Sequence, residues 1–294
     1  MMEMSAFNED CPMAMTDILL HIDSYPEPAS PQSVARGIAI AGVLGGTLTG
    51  LVAEVAFPVR SNHLADYLID LTGLARDEEG RSRRQCDEIL IAFAAAAGAA
   101  GVPYETLQSR AQLFDISGNV ASAARTRDLC IVPLGGTYDG QQDVARAVLF
   151  DSGKPVIVFD DAIPDRAQTL DLVVLAWDGS RAAARAMADA MPILKQAGEV
   201  RVVTVAGDKP GVDADRSVDV LRHLAGHGVK GVAEVVPAQG EGVGQILSTY
   251  VAKRHVDLLV MGAFGHSRVR DFILGGATQH MLSATMTAPV MLSH

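Results

Sequence analysis

The 294-residue sequence predicts an α/β chain of two tandem domains, each a five-stranded parallel sheet sandwiched between helices. Three observations predict it. Short apolar runs alternate with Ala-rich helical stretches along the whole chain. The runs are continuous in hydrophobicity rather than alternating, as in strands buried on both faces. Matched segments recur in the same order in the two halves.

Each half opens on an apolar run closed by an aspartate, TDILLHID at 16–23 and LDLVVLAWD at 170–178. A polar turn and a helical stretch follow, SVARGIAIAGVL in the first half and SRAAARAMADAMPIL in the second. RTRDLCIVPLGG (125–136) then echoes AKRHVDLLVMGAFG (252–265): basic residues, Asp-Leu, and a strand ending in glycine. Last, GKPVIVFDD (153–161) echoes TAPVMLSH (287–294). In the second half the pattern predicts strands at 171–177, 199–206, 229–236, 256–262 and 288–292. Helices at 180–197, 214–227, 241–254 and 275–284 fall between them, long enough for right-handed crossovers. The polar stretch DDAIPDRAQ (160–168), with Pro164, marks the boundary and gives domains 1–160 and 169–294. The last strand of each half is expected to meet its counterpart in an internal pseudo-dimer; association of two chains into a homodimer stays open.

The first half carries an extra segment, PVRSNHLADYLIDLTGLARDEEGRSRRQ (58–85). Leu64, Leu68, Leu71 and Leu74 at helical spacing predict an amphipathic helix, either covering a surface, touching a partner or forming a solvated excursion.

Hydrophobic residues make up 49% of the chain, enough for substantial cores and too many for disorder. A formal charge of −11 argues against nucleic acid and against a membrane surface, since both need a basic face. Residues 34–57 are long enough to suggest a membrane span, but Arg36, Glu54 and a central Gly-Gly favour a buried helix, turn and strand. Cys11, Cys86 and Cys130 are widely spaced, with no CxxC, and the start MMEMSAFNED has acids where a signal peptide needs bases. A cytoplasmic protein without disulfides is expected.

In a parallel sheet, ligands sit beyond the carboxyl ends of strands where the winding reverses. Gly262 and Gly265 end the fourth strand of the second half, and Gly275 and Gly276 precede the next helix. Bare backbone amides together with a helix N-terminus make an anion site, most plausibly for phosphates; turn geometry alone gives the same spacing. No GxxxxGK(S/T), GxSxG or HExxH is present, so no catalytic constellation is identified and an enzyme is not expected. His223 and His227, spaced i, i+4, can clamp a metal on one helix face, but with no third ligand nearby they are taken as surface residues.

GAFGHSRVRDFILGG (262–276) resembles the G-x2-G-x9-G-(S/T) nucleotide loop of universal stress proteins, with Gly262, Gly265 and Gly275 at the three glycine positions. AWDGS (176–180) resembles the family's first-strand aspartate, which contacts the adenine end of ATP. The resemblance spans nearly the whole chain as a tandem pair. It implies a Rossmann-like fold, a cytoplasmic stress-response role, and ATP, with or without Mg2+, as ligand. The residues it implies are Ala176 and Asp178, and the backbone of Val205 and its neighbour Ala206 at the purine edge. Within the loop, Ser267 can donate a hydrogen bond and Arg268 supply charge beside phosphates, or both can simply be solvated. The alternative for Asp178 is an acid that only stabilises a helix N-terminus; its position across from the glycine loop favours the ligand contact. Gly276 stands where the family has Ser/Thr; Thr278, two residues on, either replaces that hydroxyl or is an ordinary helix residue. In the first half Pro133 replaces the first glycine, and the interval from Gly136 to Pro155 is 19 residues against 24 from Gly265 to Pro289. That half is therefore expected to be a non-binding copy, although Asp23 stands where Asp178 stands. The competing functional expectation is a nucleotide-independent interaction scaffold, engaging a partner through 58–85 or through exposed last strands.

Overall fold

A computed structural model describes residues 15–58, 70–135, 140–160, 167–206, 216–238, 240–263 and 276–294. In the first half, strand β1 (Asp17–His21) leads into helix α1 (Pro31–Leu44) and β2 (Thr47–Ala56). Then come α2 (Leu71–Ala99), β3 (Tyr104–Gln112), α3 (Ile116–Ala124), β4 (Leu129–Pro133), α4 (Gly140–Ala147) and β5 (Val156–Phe159). The second half repeats the plan with β6 (Leu172–Ala176), α5 (Arg181–Gln196), β7 (Glu199–Ala206), α6 (Arg216–Gly226) and β8 (Gly231–Pro237). It closes with α7 (Val243–Arg254), β9 (Leu258–Gly262), α8 (Gly276–Ser283) and β10 (Val290–Ser293).

All strands join one ten-stranded sheet in the order β3-β2-β1-β4-β5-β10-β9-β6-β7-β8. Among the described residues pairing is parallel within each half and antiparallel where β5 meets β10, with Val156 opposite Leu292, Ile157 opposite Met291 and Val158 opposite Val290. The expected junction of last strands is thus present, and neither of these strands is left as an edge. Apolar side chains fill both faces of the sheet. One core cluster combines Leu20, Ile38 and Phe93 with Leu175, Met187 and Met291, so it runs through both halves. The other joins Leu19, Val144 and Val158 to Val174, Leu259 and Leu292 on the opposite face.

The repeated Asp-Leu pair has a structural purpose. Asp128, just before β4, accepts from the Thr16 and Asp17 amides at 2.9 and 3.1 Å, which start β1. Asp257, just before β9, accepts from the Leu172 amide at 2.9 Å, which starts β6. In both halves the carboxylate satisfies edge donors that the neighbouring strand leaves unpaired. Burial alone would raise the Asp128 pKa, but the hydrogen bonds from Thr16 and Asp17 hold it below the usual aspartate range.

Residues 34–57 form the buried helix, turn and strand expected of them, and among the described residues no helix is long and apolar enough to cross a membrane. The extra segment differs from expectation. From residue 71 it is continuous with the second helix, so that α2 runs 29 residues where its counterpart α6 runs 11. Leu74 lies 56% exposed, so it does not anchor an apolar face; Leu64 and Leu68 lie outside the described residues. The polar side chains pin the added turns instead. Ser82 Oγ accepts from the Val55 amide at 2.9 Å, Glu79 from the Phe57 amide at 2.9 Å, and Arg83 donates to Glu54 at 3.0 Å. Cys86 and Cys130 are buried and unpaired.

Candidate functional site

In the second half the strand order reverses between β6 and β9, which pair directly, Leu175 opposite Val260. The crevice beyond their carboxyl ends is where a doubly wound sheet binds ligands. Asp178 lies two residues past β6. One of its carboxylate oxygens accepts from the Ser180 amide at 2.9 Å, and Ser180 in turn caps α5 by accepting from the Ala183 amide at 3.1 Å. The aspartate therefore does fix the start of the helix, and the same turn holds it at the crevice.

Side-chain alternation sorts the neighbours. Trp177 packs toward the core cluster that contains α5 and α6, and its buried indole Nε1 meets no acceptor among the described residues. Ala176 and Val205 border the opposite cluster, together with Val236 at the end of β8, Val243 at the start of α7 and Ala277 at the start of α8. These five are only partly buried. They place partly buried apolar groups at the carboxyl ends of β6, β7 and β8 and at the starts of α7 and α8, apolar surface of the kind that accepts a flat ring. Val236, Val243 and Ala277 escape sequence reading because each ends or begins an ordinary element. The Ala206 carbonyl is already occupied, accepting from the Ala238 amide at 2.9 Å.

The glycines divide. Gly262 ends β9, and a Cβ there would lie 2.5 Å from Ala183 N and 2.7 Å from Ala182 O. Its bareness lets the first turn of α5 sit on the strand end, a packing role distinct from the ligand-facing role the sequence suggests. Gly276 opens α8, exposed, with nothing among the described residues within 4 Å of an added Cβ. Among the described residues nothing crowds a Ser there. Thr278 is buried, 2% exposed, in the first turn of α8. Gly265, Ser267, Arg268 and Gly275 lie outside the described residues, so the phosphate side of the expected site does too.

Strand register locates the equivalent positions in the first half. Asp17 pairs with Thr47 as Leu172 pairs with Glu199, so Asp23 and Ala53 correspond to Asp178 and Val205. Both are occupied from within. Asp23 accepts from Gln141 Nε2 of α4 at 2.5 Å and contacts His21 Nε2 at 3.0 Å. The Ala53 carbonyl accepts from buried Ser24 Oγ at 2.6 Å. The shorter loop before α4 fits this arrangement, since Gln141 belongs to the first turn of that helix. A separate cavity of about 580 Å³ at the ends of β2 and β3 is lined by Ala56, Gln112, Asn119 and Arg110. Arg110 is already paired with Glu79 at 2.8 Å.

Burial would raise the Asp23 pKa, but the His21 charge and the hydrogen bonds from His21 and Gln141 outweigh it and hold it below the usual aspartate range. A carboxylate with a depressed folded pKa stabilises the fold above the unfolded value, and that contribution disappears as pH falls through the folded one. Asp23→Asn is expected to cost about 1.5–3 kcal/mol at neutral pH, the range for hydrogen bonds to a charged group. The difference from wild type should close as urea midpoints are followed downward from pH 6 into the acid range. A deficit that stays constant would place the cost in packing rather than in charge.

No protein-family model and no curated protein matches the sequence. Solved structures do match. A universal stress protein from Archaeoglobus fulgidus DSM 4304 superimposes with a TM-score of 0.67 at 17% identity, over 94% of this chain and 95% of that one. A protein provisionally assigned to the universal stress proteins, from Pseudomonas aeruginosa UCBPP-PA14, gives 0.53 at 18% identity, over 96% and 94%. The cytoplasmic domain of a prokaryotic cation chloride cotransporter gives 0.50 at 11% identity, over 94% of each chain. The last shows that one architecture serves different proteins, so likeness at this level speaks for the fold alone. The chain is built on the universal stress protein fold, in its tandem two-unit form.

Proposed function

We propose that the protein is a universal-stress-type, cytoplasmic stress-response protein that binds an adenine nucleotide, ATP with or without Mg2+, in its C-terminal half. The nucleotide acts there as a ligand and is not turned over by a dedicated catalytic group. The asymmetry of the two crevices carries this reading. The first is filled by Gln141 and Ser24, whereas the second sets Asp178 beside the apolar rim of Ala176, Val205, Val236, Val243 and Ala277. The carboxylate accepts from the adenine or ribose, the rim receives the ring face, and the backbone of Gly265 and Gly275 faces the phosphates as the family motif implies, with the Ser267 hydroxyl and the Arg268 charge beside them.

Thermal melts with and without ATP and Mg2+ test it. Ligand at a hundredfold excess over its Kd contributes about 2.7 kcal/mol and raises Tm by several degrees. Asp178→Ala is expected to abolish the rise, and Gly276→Ser, which restores the family hydroxyl at an uncrowded position, to enlarge it. A melting curve unmoved by millimolar ATP overturns nucleotide binding. The interaction-scaffold reading draws on Gly276, which lacks the phosphate-reaching hydroxyl. Native mass spectrometry of freshly purified protein separates the two: a co-purified nucleotide mass supports the ligand role.

A further inference from the structure

Helix α6 ends in a rigid stop. Gly228 takes the left-handed conformation at φ 80°. Its amide donates to Ala225 O at 3.0 Å and the Val229 amide to Leu224 O at 2.9 Å, the paired reach-back of a Schellman motif. Leu224 and Val229 are both buried and supply the apolar contact that accompanies such a stop. The solvent side of the same turn carries His223 and His227, both exposed. Their rings are in contact, 4.7 Å between centroids at an interplanar angle of 63°.

We propose that His223 and His227 form a bidentate surface site for a divalent transition cation of the kind that prefers imidazole nitrogen, namely Ni2+, Cu2+ or Zn2+. Residues four apart on a helix place their Cβ atoms about 5–6 Å from each other. That separation lets two imidazoles reach one ion at about 2.0–2.1 Å each. The capped backbone and two rings already in contact leave little ordering to be done on binding. The negative end of the helix dipole and the net charge of −11 both favour a cation at this place. Asp219, one turn earlier on α6, is held by Arg222 at 2.8 Å. Among the described residues no three His, Cys, Asp or Glu side chains gather around an ion. Water therefore completes the coordination, and the ion is exchangeable, unlike a closed structural zinc. The pair precedes β8 and so lies at the amino rim of the strands, opposite the candidate nucleotide crevice; it does not depend on nucleotide binding.

Calorimetric titration of the untagged full chain with NiCl2, and separately ZnCl2, tests the site. Wild type is expected to bind one equivalent with micromolar affinity. His223→Ala and His227→Ala should each weaken binding at least roughly tenfold, because a single imidazole loses the effective-concentration advantage of the second. Both positions are exposed, so unchanged melting curves without metal will show that the variants fold. His255→Asn, at another exposed histidine, should bind as wild type does. Retained affinity in either alanine variant, or no binding by wild type at millimolar metal, overturns the site.

Discussion

Gly262→Val is expected to lower stability by about 3 kcal/mol or more, the upper range for overpacking a closed interior. An added Cβ would meet three backbone atoms of the first turn of α5, with Ala183 N at 2.5 Å, Ala182 O at 2.7 Å and the Ala182 carbonyl carbon closer still. Backbone cannot swing aside as a side chain can, so relief requires shifting α5, and with it the Ser180 cap and Asp178. Gly276→Val provides the contrast, since Gly276 at the other end of the same loop meets nothing among the described residues and opens α8 rather than interrupting it. That substitution should cost less than about 1 kcal/mol, within the range for surface changes and β-branching at a helix end. Urea unfolding of both variants checks the pair. For Gly262→Val the loss corresponds to about 5 °C in Tm for a 294-residue chain that unfolds as one unit. Equal tolerance at the two positions would mean that β9 and α5 are not packed as described.

The same comparison shows what a sequence can disclose. Strand and helix order was legible because each central strand is a continuous apolar run, and the duplication was legible because Asp128 and Asp257 perform the same task in each half. The edge strand β3, YETLQSRAQ, has no such run, because an edge strand is half solvated. Helix α2 was obscured by its charges. DEEGRSRRQ suggests a solvated excursion until β2 is seen to supply Glu54 and the Val55 and Phe57 amides as partners. The candidate site was legible at Asp178, where local turn chemistry marks it, and hidden where partners are distant in sequence. Gln141 fills the first crevice by reaching a residue 118 positions away, and Gly262 is explained by Ala182 rather than by its own loop.

Met291→Asp is expected to have the largest effect of all, at least about 4 kcal/mol at neutral pH, because an unpaired charge buried without a partner is among the costliest single changes. Met291 is fully buried on β10, between Ile157 of β5 and Val260 of β9. It belongs to the core cluster that joins Leu20, Ile38 and Phe93 of the first half to Leu175 and Met187 of the second. A carboxylate there titrates upward in the folded state, so the deficit should shrink as pH falls and the group is neutralised. Val218→Asp, at an exposed position on α6, should leave stability nearly unchanged. The shape of the transition tells more than its midpoint. Trp177, the sole tryptophan, reports on the second half, whereas far-UV circular dichroism reports on both. Because sheet and core cross the β5–β10 junction, damage at the seam should be felt on both sides, and the two signals should move together in one shifted transition. A fluorescence change that separates from the dichroism change would show instead that each half holds its own fold and that the shared sheet contributes little to either.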